Sequence, residues 1–210
     1  MTTETTTSKS EVTRSRILKT TVALLWEKDA AAIRLSSLSK AADVNTSVLY
    51  AYFLSREGLI ETAYLEILEE INAELLLTWQ VALSSGSSDE LLATIEAVTS
   101  DETMAQRFFE LRQMYIRIVA VAVGRKGFAQ KFAERKEAYL VQLTSIIESL
   151  RERGFVNDIL PSRQIALVVE SLFIGRCQDD ISLAPEPDEN WTRALVAVLT
   201  LFRSNVVTTS

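Results

Sequence analysis

Apolar positions recur at helical spacing along almost the whole chain. Ile17, Leu18, Val22, Leu25 and Trp26 form one face of a first helix that ends near Asp29. From Leu59 the apolar residues Ile60, Ala63, Tyr64, Ile67, Leu68, Ile71, Leu75 and Leu76 recur at intervals of three and four, and the pattern continues to Trp79 unbroken. This predicts one long helix over residues 55–79, a rigid lever joining an N-terminal head to a C-terminal body. The serine-rich run 84–88 is a loop, and Ser87 with Glu90 has capping-box spacing. Helices are predicted over about 89–99, 102–123, from the Gly124/Gly127 break to 153, 162–181 and 189–205. Residues 114–123, apolar nearly all round except Arg117, predict a segment buried in the middle of the body. Gly154 stands just past a helix end, Pro161 opens a helix, and residues 185–188 make a rigid turn.

Between the first helix and the long one, residues 35–56 read as a helix, a tight turn and a second short helix. Leu38, Ala41, Ala42 and Val44 suit the inside of a close helix–helix corner, and Asn45 is a good N-cap. Two short helices at such a corner form a helix-turn-helix, whose second helix enters the DNA major groove. Thr46, Ser47, Tyr50 and Tyr52 then lie on or beside its exposed side. Thr46 and Ser47 are candidates for base edges, or solvated first-turn residues. The hydroxyls of Tyr50 and Tyr52 can donate to phosphates, or their rings can pack.

Composition agrees with an all-α fold. The 210 residues include only 6 Gly and 3 Pro, and 48% are hydrophobic. Residues 1–8 are Thr-rich and read as a disordered arm, with a helix start at or just after Ser8-Lys9-Ser10-Glu11. They hold no apolar core of a signal peptide, no run approaches the ~20 apolar residues that span a bilayer, and the single Cys177 fits a reducing cytoplasm. A net charge of −6 argues against nucleic acid, but its distribution argues for it. Residues 1–56 carry eight Lys/Arg against five acids, a net +3, and the remainder carries fourteen against twenty-three, a net −9. Phosphate contacts dominate DNA affinity, so a basic head matters more than the sum. Lys9, Arg14 and Arg56 are expected near phosphate.

The segments Leu38-Ser39-Lys40-Ala41-Ala42-Asp43-Val44-Asn45, Leu49-Tyr50-Ala51-Tyr52-Phe53 and Ser55-Arg56-Glu57-Gly58-Leu59 together resemble the head of the tetracycline-repressor (TetR) family of bacterial regulators. The resemblance covers about residues 12–60; Arg153 to Asp158, with Pro161 and the helix after it, also looks like that family's approach to its dimerisation helices. It implies a three-helix DNA-binding domain over residues 1–56 and a helical ligand-binding and dimerisation domain over 57–210. Four departures stand out. Asp43 replaces a turn Gly, and Asp tolerates the left-handed conformation better than most residues. Ser47 replaces a Gly at the start of the reading helix. Arg34 falls where a Thr often caps and touches phosphate, which leaves the cap to Ser36. Arg56 replaces a Lys and keeps its charge.

In the body, Trp79, Phe108, Phe109, Arg112, Tyr115, Tyr139, Phe173 and Cys177 are candidates to line a ligand pocket or to pack a core. Arg112 and Arg117, among apolar neighbours, suit an anionic ligand or an internal ion pair. Leu172, Phe173 and Gly175, with Trp191, Leu195, Val198 and Phe202, suit a self-complementary helix pair. The chain has no His, so there is no imidazole base and no His-containing metal site. No Gly-rich phosphate loop occurs either. Asp179-Asp180 reads as a solvated helix end sooner than a cation site. No catalytic residues, metal or cofactor are expected. The expected partners are operator DNA, a second copy of the chain and a small-molecule effector, in the cytoplasm and off the membrane. The expected function is a ligand-responsive regulator, most often a repressor in the family resembled. The alternative is a helical ligand-binding or interaction protein whose head has lost DNA binding, motivated by Asp43, Ser47 and the acidic balance.

Overall fold

The computed structural model describes residues 3–204, which are helical with no named strand among them. The chain divides at Glu70/Ile71 into two compact units, so the division falls inside one long helix, beyond residue 56. The reason lies in that helix: its first turns bury Leu59, Ile60, Ala63 and Tyr64, all nearly inaccessible.

The first unit opens with α1 (Thr3–Glu27). It starts ahead of residues 8–11, so the expected arm is helical from Thr3. Extending a helix costs less than nucleating one, which lets it run back through a polar stretch. Ile17, Leu18 and Leu25 are buried, and the buried Thr21 hydroxyl donates back to the Ile17 carbonyl at 2.8 Å. A 3-10 turn at Ala30–Ala32 leads to α2 (Leu35–Ala41) and α3 (Thr46–Phe53). Leu38, Ala42, Leu49 and Phe53 fill the corner between them. Two non-glycine residues have positive φ: Asp43 at 52° in the turn and Leu54 at 64° after α3. Asp43 thus adopts the left-handed conformation expected of it; nothing in the residue pattern marked Leu54.

α4 (Arg56–Ala82) begins at once. Its start is fixed by Ser55, whose Oγ accepts from the Gly58 backbone N–H at 2.9 Å. Gly58 is required for close approach, because a Cβ there would lie 2.5 Å from the Phe53 carbonyl oxygen.

The second unit contains the end of α4 with α5 (Ser88–Ser100), α6 (Glu102–Gly124), α7 (Lys126–Glu152), α8 (Ser162–Asp179) and α9 (Asp188–Leu201). α6, α7 and α8 pack against one another, and α9 packs along α5. The core of this unit is Leu76, Leu91, Ile95, Leu140, Leu143, Ile147, Ile165 and Ala166 with their neighbours. Caps set the boundaries: Ser87 accepts from Glu90 N, Asp101 from Met104 N, and the Glu90 carboxylate accepts from Gly86 N. Gly154, at φ 75°, closes α7 with bonds from Gly154 N to Arg151 O and from Phe155 N to Leu150 O, a Schellman ending.

One expectation fails. The apolar segment of α6 buries Met114, Tyr115, Ile118 and Ala122 along one face, but Val123 is 85% exposed. Small and branched side chains make all faces read as apolar, while neighbouring helices cover only one.

Candidate nucleic-acid interface and effector cavity

In the first unit, Ser47, Tyr50 and Ala51 are exposed on α3, with Tyr50 47% accessible. Thr46 is half-buried, its hydroxyl directed at Ser39 Oγ 3.5 Å away. Arg34, Ser36 and Lys40 are exposed on and before α2. Asn45 occupies the N-cap of α3 in extended backbone but makes no side-chain capping bond; its carbonyl accepts from Val48 N. Ser36 does not cap α2. The cap position falls on Arg34, without a side-chain bond, and Ser36 lies in the first turn, its carbonyl accepting from Ser39 Oγ. The Tyr52 hydroxyl is 3.0 Å from Ser10 Oγ and is half-buried.

Several cations that the sequence offers to phosphate are occupied within the head. Arg56 donates from Nε to the Ile33 carbonyl at 2.9 Å and from Nη2 to the Ala30 carbonyl, clamping the 3-10 turn to α4. Its Nη1 bonds Glu57 at 3.4 Å. Arg16 reaches the Asp43 carbonyl at 3.3 Å, bracing the turn from α1, and Arg14 lies over the Phe53 ring. Lys9, Arg34 and Lys40 remain exposed. The charge of the head is therefore kept, but its arginines also hold the reading helix in place.

The second unit holds a half-open cavity of about 160 Å³. A ~150 Å³ apolar cavity holds one benzene ring, so this one is sized for a ring with a short substituent. Of the residues proposed from sequence, Trp79, Phe108, Arg112, Tyr139 and Phe173 line it. Tyr115 and Cys177 do not. Tyr115 packs behind, its ring 6.0 Å from those of Phe132 and Phe173, and burial pushes its phenol above the usual range. Cys177 is buried, its thiol directed at the Phe173 carbonyl 3.4 Å away, and burial pushes it up to about 11. Phe109 is 39% exposed, outside the lining, and Arg117 is half-buried.

Charge in the cavity wall is arranged around α8. Arg112, 6% exposed, makes a bidentate pair with Asp180: Nε to Oδ2 at 2.5 Å and Nη2 to Oδ1 at 3.0 Å. Asp179 accepts from Trp191 Nε1 at 2.8 Å and from Glu186 N at 2.9 Å. The two carboxylates are thus internal acceptors, which corrects the reading of a solvated helix end. Arg176, in the same wall, lies over the Trp191 ring at 5.3 Å and bonds Asp188 from Nη2. Burial first, then the nearby Arg112 charge, lowers its pKa.

Sequence reasoning missed Arg176, Asp188, Thr78 and Thr99 in this wall. It also assigned Leu172, Trp191 and Leu195 to a dimer face, yet all three line the cavity. Leu195 and Val198 pack against the core of their own chain and Phe202 is buried in it, so the α9 stripe faces inward. Gly175 is half-buried on α8. A stripe that buries against a second copy and one that buries against α5 have the same spacing, so periodicity cannot separate them.

An exposed short helix at a helix-turn-helix corner, in a chain whose second unit is helical with a mostly apolar cavity, defines an all-helical helix-turn-helix protein. Residues 17–63 match the family described as bacterial regulatory proteins, tetR family. Those residues therefore carry a tetR-family head. No curated protein matches it in sequence. Its fold is similar to that of a TetR-family transcriptional regulator from Cytophaga hutchinsonii (16% identical, TM-score 0.72, covering 93% of this chain and 96% of that one). It is similar also to reduced NemR from E. coli (21%, 0.66, 93% and 100%) and to a protein from Saccharomonospora viridis in complex with choline (11%, 0.59, 89% and 95%). No helix of the described residues is long and apolar enough to cross a membrane, and none of their acidic or Cys side chains cluster as a metal site.

Proposed function

We propose that the chain is a homodimeric, ligand-responsive repressor that acts on a pseudo-palindromic operator in the cytoplasm. The observation that carries this is the tetR-family head itself, with Ser47 and Tyr50 exposed on α3 and the turn held by a left-handed Asp43. Of the features that motivated a degenerate head, Asp43 leaves the turn geometry intact. Two heads related by a two-fold axis would read half-sites about one helical turn (~34–36 Å) or more apart. In this reading Ser47 and Thr46 would meet base edges and Tyr50, Arg34, Ser36 and Lys40 would meet phosphates; the exposure of Ser47, Tyr50, Arg34, Ser36 and Lys40 supports it.

The effector enters the cavity of the second unit. α4 supplies Leu75, Thr78 and Trp79 to that cavity and carries Arg56, the clamp of the head, at its other end. A ligand that prefers one position of this helix shifts the population of heads able to bind DNA, by no more than its differential affinity for the two states. Gel-shift titration with the promoter upstream of the chain's own gene tests the reading. Salt-sensitive, sequence-dependent binding is expected; binding that ignores sequence, or none, overturns it.

A further inference from the structure

The donors and acceptors of the cavity wall do not balance, and the imbalance identifies the kind of ligand. The inner carboxylates are satisfied: Asp180 takes Nε and Nη2 of Arg112, and Asp179 takes Trp191 Nε1 and Glu186 N. The inner guanidinium of Arg176 is not. Its Nε is buried without a hydrogen-bond partner, and the Asp180 Oδ1 oxygen is 3.6 Å away. Asp188 reaches Nη2 only, and its own side chain is 57% exposed, against 12% for Arg176. Half of a two-pronged donor edge is therefore without a hydrogen bond, in a wall that is mostly apolar and aromatic. An Arg fork matches a carboxylate bidentately and is a poor match for a cation. The guanidinium carbon lies 5.3 Å from the Trp191 ring centroid, within cation–π reach.

We propose that the cavity binds a small aromatic monocarboxylate, its ring among Trp79, Phe108 and Phe173 and its carboxylate on the Nε–Nη2 edge of Arg176 in place of Asp188. The size agrees, because one ring with a short acid arm fills about 160 Å³. Displacing Asp188 also frees the first residue of α9, whose range begins there. The proposal rests on the cavity being the effector site, and the test separates the two ideas.

Phenylacetate, phenylacetamide and 2-phenylethylamine, alike in shape and different in charge, are titrated calorimetrically into the full-length protein without DNA. Phenylacetate is expected to bind about tenfold or more tighter than the amide, as a charge-assisted bond gained would give. Arg176→Gln should erase that preference. Asp188→Asn, which weakens the internal competitor, should tighten phenylacetate binding and leave the amide unchanged, a gain that misfolding cannot imitate. Equal binding of acid and amide, tighter binding of the amine, or weaker acid binding in Asp188→Asn overturns the proposal and leaves the cavity as a site. Failure of all three probes to bind overturns the effector cavity as well.

Discussion

Arg56 donates from Nε to the carbonyl oxygen of Ile33 at 2.9 Å, tying the start of α4 to the turn before α2. A positive residue at this point of a DNA-binding head invites assignment to a phosphate, but here its donors point into the chain. The two roles predict different salt behaviour. Arg56→Ala should lower the melting temperature of the protein and weaken operator binding, while the slope of log affinity against log salt holds constant. A direct phosphate contact would instead reduce that slope by about 0.9. Arg56→Lys should recover only part of the stability, since an ammonium cannot span both carbonyls as a fork does.

Tyr50, nearly half exposed on α3, has little packing to lose. Tyr50→Ala should leave thermal stability within about 0.5 kcal/mol of the parent and reduce operator affinity about tenfold, the scale of a hydrogen bond to a charged phosphate. Unchanged affinity in the gel shift would remove Tyr50 from the interface.

Gly58→Ala places a Cβ 2.5 Å from the Phe53 carbonyl, backbone against backbone, with no flexible side chain to yield. A cost of about 1–3 kcal/mol is expected from the forced shift, at the junction between α3 and α4. Denaturant unfolding measures it. A neutral result would mean that the end of α3 relaxes freely.

Asp180 neutralises Arg112 in a pair with side chains 7% and 5% exposed. Asp180→Asn leaves a buried guanidinium uncompensated and should destabilise by about 3–5 kcal/mol. The loss should be visible as a lower urea midpoint with an unchanged slope.

Cys177 has its thiol raised by burial to about 11 from 9.0. It should resist alkylation in the native protein at pH 8 and react promptly in denaturant. Because the folded pKa exceeds the unfolded one, its contribution to stability is complete below pH 9 and is lost as pH rises towards 11. The buried phenols of Tyr115 and Tyr139 are also raised, so they add to an alkaline loss above pH 10. Melting temperature against pH should be level to about 8 and fall beyond about 9.

The elements of the head and most helices of the body are legible in the residue pattern. Local signals carry that information: the spacing of Leu59 to Leu76, the Ser55 cap, the small residues of the α2–α3 corner, and Gly154 past α7. Those signals act within a few residues, so one chain is enough to read them. The tertiary structure decided which partner each polar or apolar group meets. Arg56 was legible as a cation but not as a clamp, because Ala30 and Ile33 come to it only once the 3-10 turn folds back. Arg112 and Asp180 lie 68 residues apart, and nothing local pairs them. Arg176 was readable only as a helix residue and Trp191 only as part of a dimer stripe, yet both face one cavity because the turn after α8 brings the Trp191 ring to the Arg176 guanidinium. Periodicity says that a face is buried; only packing says against what.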